Sequence, residues 1–132
     1  MLHKIEIESG KRIELINITD QVNGVIKKTK TNEGICFLHV PHTTAAITVN
    51  ENADPDVAYD ILEKTNSLVP SDDDYAHLEG NSDAHIKSSL IGASLNLIIN
   101  EGRLLFGRWQ CLYFCEFDGP RNRQVYIKII GG

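Results

Sequence analysis

The stretch ICFLHVPHTTAAITVNENADP, residues 35–55, decides the fold. Ile35 to Val40 is an apolar run, partly β-branched and aromatic, like a buried strand. Pro41 ends it, because a proline cannot donate to a ladder. Ala45 to Asn50 resumes as a strand with Ile47 and Val49 on one face. Asp54-Pro55 then reads as a helix start, an N-cap carboxylate followed by proline at the first helical position. Strand, interrupted strand and capped helix in so short a span point to mixed α and β structure. His42 falls in the break, where a loop presents side chains for chemistry.

Working outward, Leu2, Ile5 and Ile7 on one side of Ser9-Gly10 and Ile13, Leu15 and Ile16 on the other predict two short strands joined by a tight turn. A helix begins at Thr19 or Asp20, carries Val22, Val25 and Ile26 on one face, and ends near Asn32-Glu33-Gly34. Beyond Pro55, Val57, Ile61, Leu62 and Leu68 predict the core stripe of a second helix, which Pro70 stops. From Pro70 to Asp83 runs a loop with four aspartates and one glutamate, of a kind uncommon in a compact domain unless functional. Asp83 is placed to cap a further short helix, Ala84 to Gly92, with His85, Ser88 and Ser89 on one face. Leu95 to Ile99, Arg103 to Phe106, Trp109 to Phe117 and Gln124 to Ile130 read as strands, punctuated by Asn100-Glu101-Gly102, Gly107 and Asp118-Gly119-Pro120. About eight strands and two or three helices describe one compact α+β domain over residues 1–132, sandwich-like and dominated by antiparallel sheet.

A chain of 132 residues buries enough surface to fold without a disulfide or metal. Its net charge of −5, with 13 scattered basic residues, argues against nucleic-acid binding. Cys36, Cys111 and Cys115 lie in hydrophobic segments without CxxC spacing and read as small core residues. With no N-terminal apolar leader, membrane-length run or lipidation signal, the protein is expected to be soluble and cytoplasmic, with no membrane partner.

The candidate site centres on HLEGNSDAHIKS, residues 77–88. His77 and His85 bracket Glu79 and Asp83, and Lys87 follows. Imidazoles and carboxylates at this density in polar loops suit a divalent metal or a phosphate-handling site. His42 completes a set of three. Glu79 and Asp83 are either acceptors for the histidine N–H groups or a general base, or else they solvate the loop and cap the helix. Lys87 and Arg103 are candidates to hold phosphate, and Arg121 with Arg123, straddling Asn122, to form a fork for its oxygens. Ser88 either meets a phosphate or sits on a solvated face, and Glu51 and Asn52 either bind substrate or satisfy their loop. Trp109, with Gln110 beside it, either packs or stacks on an aromatic substrate. Glu116 is either site-facing or paired with Arg121 or Arg123.

Three blocks carry a resemblance: PHTTAAITVNENADPDV at 41–57, HLEGNSDAHIKSSLIG at 77–92 and SLNLIINEGRLLFGRWQ at 94–110. They are similar, in the same order, to the signature blocks of the YjbQ-like family, also called the secondary thiamine-phosphate synthase family. Arg108 stands where that family's last block has threonine. The resemblance implies a YjbQ-like fold, a homotrimer, and His42, His77 and His85 as ligands of one divalent metal per chain, with zinc expected. Thr43 and Asn81, within the matched blocks, are expected to touch substrate. The implied reaction is a transfer that joins hydroxymethylpyrimidine diphosphate to thiazole phosphate and releases pyrophosphate, with room for a different main role. A metal-dependent hydrolase of phosphorylated metabolites and a non-catalytic metal- or phosphometabolite-binding protein are the alternatives.

Overall fold

The computed structural model describes residues 1–132. In chain order the elements are β1 (Leu2–Glu8), β2 (Glu14–Asn17), α1 (Thr19–Thr29), β3 (Gly34–His39), β4 (Ala45–Glu51), α2 (Pro55–Leu68), α3 (Ser82–Ile91), β5 (Ser94–Asn100), β6 (Arg103–Leu104), β7 (Gln110–Glu116) and β8 (Asn122–Gly131). The strands form two antiparallel sheets, ordered β1-β8-β3-β5-β6 and β2-β7-β4. Strand alternation sets which side is core. In β3, Cys36 and Leu38 are buried while Ile35, Phe37 and His39 are exposed. Ile7, Leu38, Ile99, Val125 and Ile127 of the larger sheet meet Ala45, Ile47, Leu112 and Phe114 of the smaller one, and Val22 and Ile26 of α1 complete the cluster. Burying each large aliphatic side chain contributes about 1.5–3 kcal/mol.

The other side of the smaller sheet is covered by α3, where Ala84 packs with Ala46, Cys115 and Phe117. Ser88 fixes the helix there by donating from Oγ to the carbonyl of Ala45 at 2.6 Å. All three cysteines are free and buried. Burial pushes the Cys36 and Cys115 thiols up to about 12, so neither offers a thiolate near neutrality.

Several local expectations are corrected. β1 and β2 do not form a hairpin: β1 pairs with β8 and β2 with β7, in different sheets. The link crosses between the layers, tied by Ser9 N–H to the carbonyl of Arg121 at 3.0 Å. The stripe on α2 is no core stripe, since α2 has no buried residue and Leu68 is 70% exposed. The N-cap of α3 is Asn81 rather than Asp83. Only Arg103 and Leu104 of the expected third-last strand pair, and Trp109 lies just outside β7. No helix is long and apolar enough to cross a membrane.

Candidate functional site

One end of the sandwich gathers four segments: the β1–β2 link, the β3–β4 loop, the β7–β8 turn and the amino end of α3. Between them lies a pocket of about 750 Å³ with no hydrophobic residue in its walls. Arg12 comes from the first segment, His42, Thr43 and Thr44 from the second, Asp118, Arg121 and Arg123 from the third and the start of β8, and Glu79, Asn81 and His85 from the fourth.

Two ion-pair clusters built on the buried carboxylates Asp83 and Glu116 hold Arg12 and Arg123, and an exposed pair with Asp118 holds Arg121. Arg12 grips Asp83 with both terminal nitrogens, Nη2 to Oδ1 at 3.0 Å and Nη1 to Oδ2 at 3.3 Å. Lys87 donates from Nζ to Asp83 Oδ2 at 3.2 Å and to Asn66 Oδ1, on α2, at 2.7 Å. Asp83 is 0% and Lys87 1% exposed, so two cations share one carboxylate in a nearly dry setting. Burial alone pushes the Asp83 carboxyl up, and the hydrogen bonds from Arg12 and Lys87 more than reverse this, leaving it below its ordinary value. Burial lowers the Lys87 ammonium, with Asp83 opposing.

In the second cluster Arg123 donates from Nε to Glu116 Oε1 at 2.9 Å and from Nη2 to Thr44 Oγ1 at 2.8 Å. Ser9 Oγ donates to Glu116 Oε1 at 2.6 Å, and the Asp118 N–H to Oε2 at 3.0 Å. Burial raises Glu116, but Arg123 and Ser9 outweigh it and hold the carboxyl below its ordinary value. Arg121 donates from Nε to the Asp118 carbonyl at 2.9 Å and from Nη2 to Asp118 Oδ2 at 3.1 Å. Gly119 closes this turn so tightly that a Cβ there would fall 2.7 Å from Ser9 Oγ.

These pairings leave donors free. Arg12 Nε, Arg121 Nη1 and Arg123 Nη1 make no hydrogen bond within the chain, though each guanidinium has five N–H groups. Asn81, the N-cap of α3, makes no side-chain cap. Its Nδ2 donates instead to Asp118 Oδ2 at 2.9 Å, leaving Oδ1 buried without a partner. The amino end of α3 therefore lies beside the pocket without a side-chain cap.

His42 and His85 line this pocket, but His77 does not; it faces a neighbouring recess with Tyr75 and Ile86. The His77 and His85 rings meet edge-on with centroids 5.4 Å apart. His77 Nε2 stands 3.8 Å from Glu79 Oε2, too far for a hydrogen bond. His42 Nε2 accepts the Gln124 backbone N–H at 2.9 Å. Burial, and then the charge of Arg123, hold its imidazole below its ordinary value. No three His, Cys, Asp or Glu side chains form a group able to hold a metal, and the Nε2 lone pair of His42 is already used. The residues as arranged do not fit a three-imidazole metal site.

Of the side chains expected at the site, the fold brings His42, Thr43, Glu79, Asn81, His85, Arg121 and Arg123 together. Asp83, Lys87, Ser88 and Glu116 lie behind the wall, fully or nearly buried, where they position others; Asp83 and Glu116 hold cations rather than stand as bases. Glu51, Asn52, Trp109 and Gln110 sit at the opposite end. Glu51 pairs with Gln110 at the far end of the β4–β7 ladder, six residues from Ala45, which is roughly 20 Å. There Asn52 N–H donates to the Trp109 carbonyl at 3.0 Å, and Arg108 covers the Trp109 ring at 4.7 Å. Arg103, on the edge strand β6, lines a separate hollow with Arg108. Arg12 and Asp118 carry no signal in the sequence. Arg12 sits 71 positions from its partner Asp83, and Asp118 read only as a turn residue.

Fold and site define a compact α+β sandwich with a largely polar, arginine-lined pocket at one end. The chain belongs to the YjbQ-like family: the family model described as "UPF0047 protein YjbQ-like" matches residues 3–132. It is 53% identical over 131 residues to a UPF0047 protein of Methanocaldococcus jannaschii, covering 99% of this chain and 95% of that one. It is 48% identical to UPF0047 protein YugU of Bacillus subtilis, covering 99% and 100%. A crystal structure of a family protein from Clostridium acetobutylicum superposes with a TM-score of 0.94 at 46% identity, over 97% of this chain and 99% of that one. One from Sulfolobus solfataricus, described as a YbjQ-like protein of unknown function, gives 0.94 at 32% identity over 100% and 97%.

Proposed function

We propose that the polar pocket is the active site of an enzyme acting on a small phosphorylated substrate. The observation that carries this is the convergence of three guanidiniums, each with free N–H groups, in a pocket without a hydrophobic residue. Arg12 and Lys87 share the single carboxylate of Asp83, so that cluster is one negative charge short, and a bound phosphate supplies it. The uncapped end of α3 adds oriented N–H groups.

By family resemblance the reaction is thiamine-phosphate formation, as a side activity. The carbon–oxygen bond to the diphosphate breaks as the carbon–nitrogen bond to the thiazole forms, and pyrophosphate leaves. Arg12, Arg121 and Arg123 suit the leaving group, since preorganised cations act most strongly on charge that develops in the transition state. Buried Asp83 and Glu116 keep two of the three aimed. The absence of a hydrophobic wall favours a second reading, a hydrolase or binder of compact phosphorylated metabolites, because a pyrimidine ring finds no apolar face here. The working assembly is taken as a homotrimer and the setting as the cytoplasm.

Turnover separates the two readings. Incubation with hydroxymethylpyrimidine diphosphate and thiazole phosphate should yield thiamine phosphate and pyrophosphate, and Arg12→Gln should cost about 1.5–3 kcal/mol of transition-state stabilisation per charge-assisted bond lost. No product, together with phosphate release from simple esters, would favour the hydrolase. No heat of binding with either diphosphate or phosphate would remove the anion site altogether.

A further inference from the structure

His42 completes a ladder that its own strand abandons. β3 pairs with β8 up to His39 opposite Tyr126. Two steps further the register would set Pro41 against Gln124, but proline has departed into the loop. The Gln124 N–H, facing the side β3 has left, is taken instead by His42 Nε2 at 2.9 Å, while Gln124 itself is held on its other side by pairing with Glu6 of β1. A neutral imidazole has one N–H and one lone pair. With the lone pair of Nε2 filled by a backbone donor, the proton must sit on Nδ1. Nδ1 has no partner within the chain and belongs to a side chain that lines the pocket.

We infer that His42 serves the pocket as a fixed N–H donor to a bound anion through Nδ1, and not as a metal ligand. This donor role rests on the phosphate reading above; the tautomer itself does not. A metal on Nδ1 would drive the proton to Nε2, against the Gln124 N–H. A metal on Nε2 would expel that N–H and leave a half-buried backbone donor unpaired at the end of the ladder. A neutral donor held by the main chain needs no reorganisation when the anion arrives, and it lies beside Arg123, whose guanidinium is locked by Glu116 and Thr44.

Long-range proton–nitrogen NMR of the unliganded wild type reads the tautomer directly. The His42 Nδ1 should be protonated and Nε2 should be the bare acceptor; the reverse tautomer would overturn the inference. Calorimetric titration with inorganic phosphate then tests the role. The amide nitrogen of His42→Asn falls near the Nδ1 position and should keep an affinity close to that of wild type. His42→Gln reaches the Nε2 position, satisfies Gln124 but offers no donor at Nδ1, and should bind about tenfold more weakly. Zinc alone, used as a third probe, should bind wild type and His42→Ala equally, and selective loss of zinc in the variant would overturn the inference. A wild type with the proton on Nδ1 that binds no phosphate would sink the donor role together with the phosphate reading. The reverse tautomer with intact phosphate binding would sink the inference alone.

Discussion

Asp83 and Arg12 form one ion pair with opposite consequences for mutation. Asp83 is fully buried between two cations, whereas the Arg12 side chain is 39% exposed. Asp83→Asn should therefore destabilise the fold by about 3–5 kcal/mol in urea titration, because it strands the buried Lys87 charge. Arg12→Gln should leave stability within about 1 kcal/mol while weakening anion binding. The same carboxylates set the acid limit. Asp83 and Glu116 titrate below their ordinary 3.8 and 4.5, so each binds fewer protons folded than unfolded. Their contribution is complete above those ordinary values and is lost as pH falls through the lower folded ones. The unfolding midpoint should slip slightly below about pH 6.5, where lowered His42 takes up its proton more readily unfolded, and drop more steeply below about pH 4, less so in Asp83→Asn, as scanning calorimetry across pH would reveal. At this scale the sequence was legible where chemistry is local. His42, Thr43, Glu79, Asn81 and Arg121 in loops, His85 in the first turns of its helix, and Arg123 beside Arg121 stand out as crowded polar residues, and all reach the pocket. Arg12 gives no such signal, since its partner lies 71 positions away and only the folded chain brings them together. Lys87 misleads for the complementary reason: a lysine on a short helix looks solvated, and only tertiary contacts show it buried.

The helices divide by what covers them. α1 buries Val22 and Ile26 fully, and α3 buries Ala84 against the smaller sheet. α2 also carries an apolar stripe at helical spacing, yet buries nothing completely. Periodicity reports that a face is apolar, not that the chain supplies something to cover it, so the apolar stripe on α2 does not mark a core face. Its polar tether is Asn66, which accepts from Lys87 Nζ at 2.7 Å. Ile26→Ala should cost about 2–5 kcal/mol, and Leu68→Ala less than about 0.5 if solvent is its only neighbour. In a single dissociated chain, hydrogen exchange should show α2 amides opening before those of α1, and Asn66→Ala should speed α2 further. Protection of α2 that appears only in the assembled protein would mean that a partner copy covers it.

At the scale of the whole molecule the larger sheet has one covered face and one bare one. On the bare face Ile35 stands opposite both Ile98 and Ile130, and these are 42%, 57% and 53% exposed, with Phe37 beside them at 40%. A hollow of about 580 Å³ opens on the same side, lined in part by Leu2, Phe37 and Tyr126. Neighbouring aliphatic and aromatic side chains across three strands make a contiguous apolar patch, which soluble monomers seldom leave open. Self-association through this face is the expected outcome. Its symmetry depends on what the patch meets. Patch against patch is self-complementary and gives a twofold dimer, whereas the homotrimer expected from family resemblance needs a second, different surface on each chain. The exposed side of α2, with Tyr59 and Leu68 62% and 70% exposed, is the apolar surface available for that role. Light scattering at micromolar concentration should therefore return about three times the 14.7 kDa chain mass. Ile98→Lys on the sheet and Leu68→Lys on α2 should each reduce it to a single chain, since a head-to-tail ring is broken from either side. A mass of two chains, disrupted by Ile98→Lys but indifferent to Leu68→Lys, would make the contact twofold and end the trimer proposal. A wild type that scatters as one chain would leave the patch uncovered and end both.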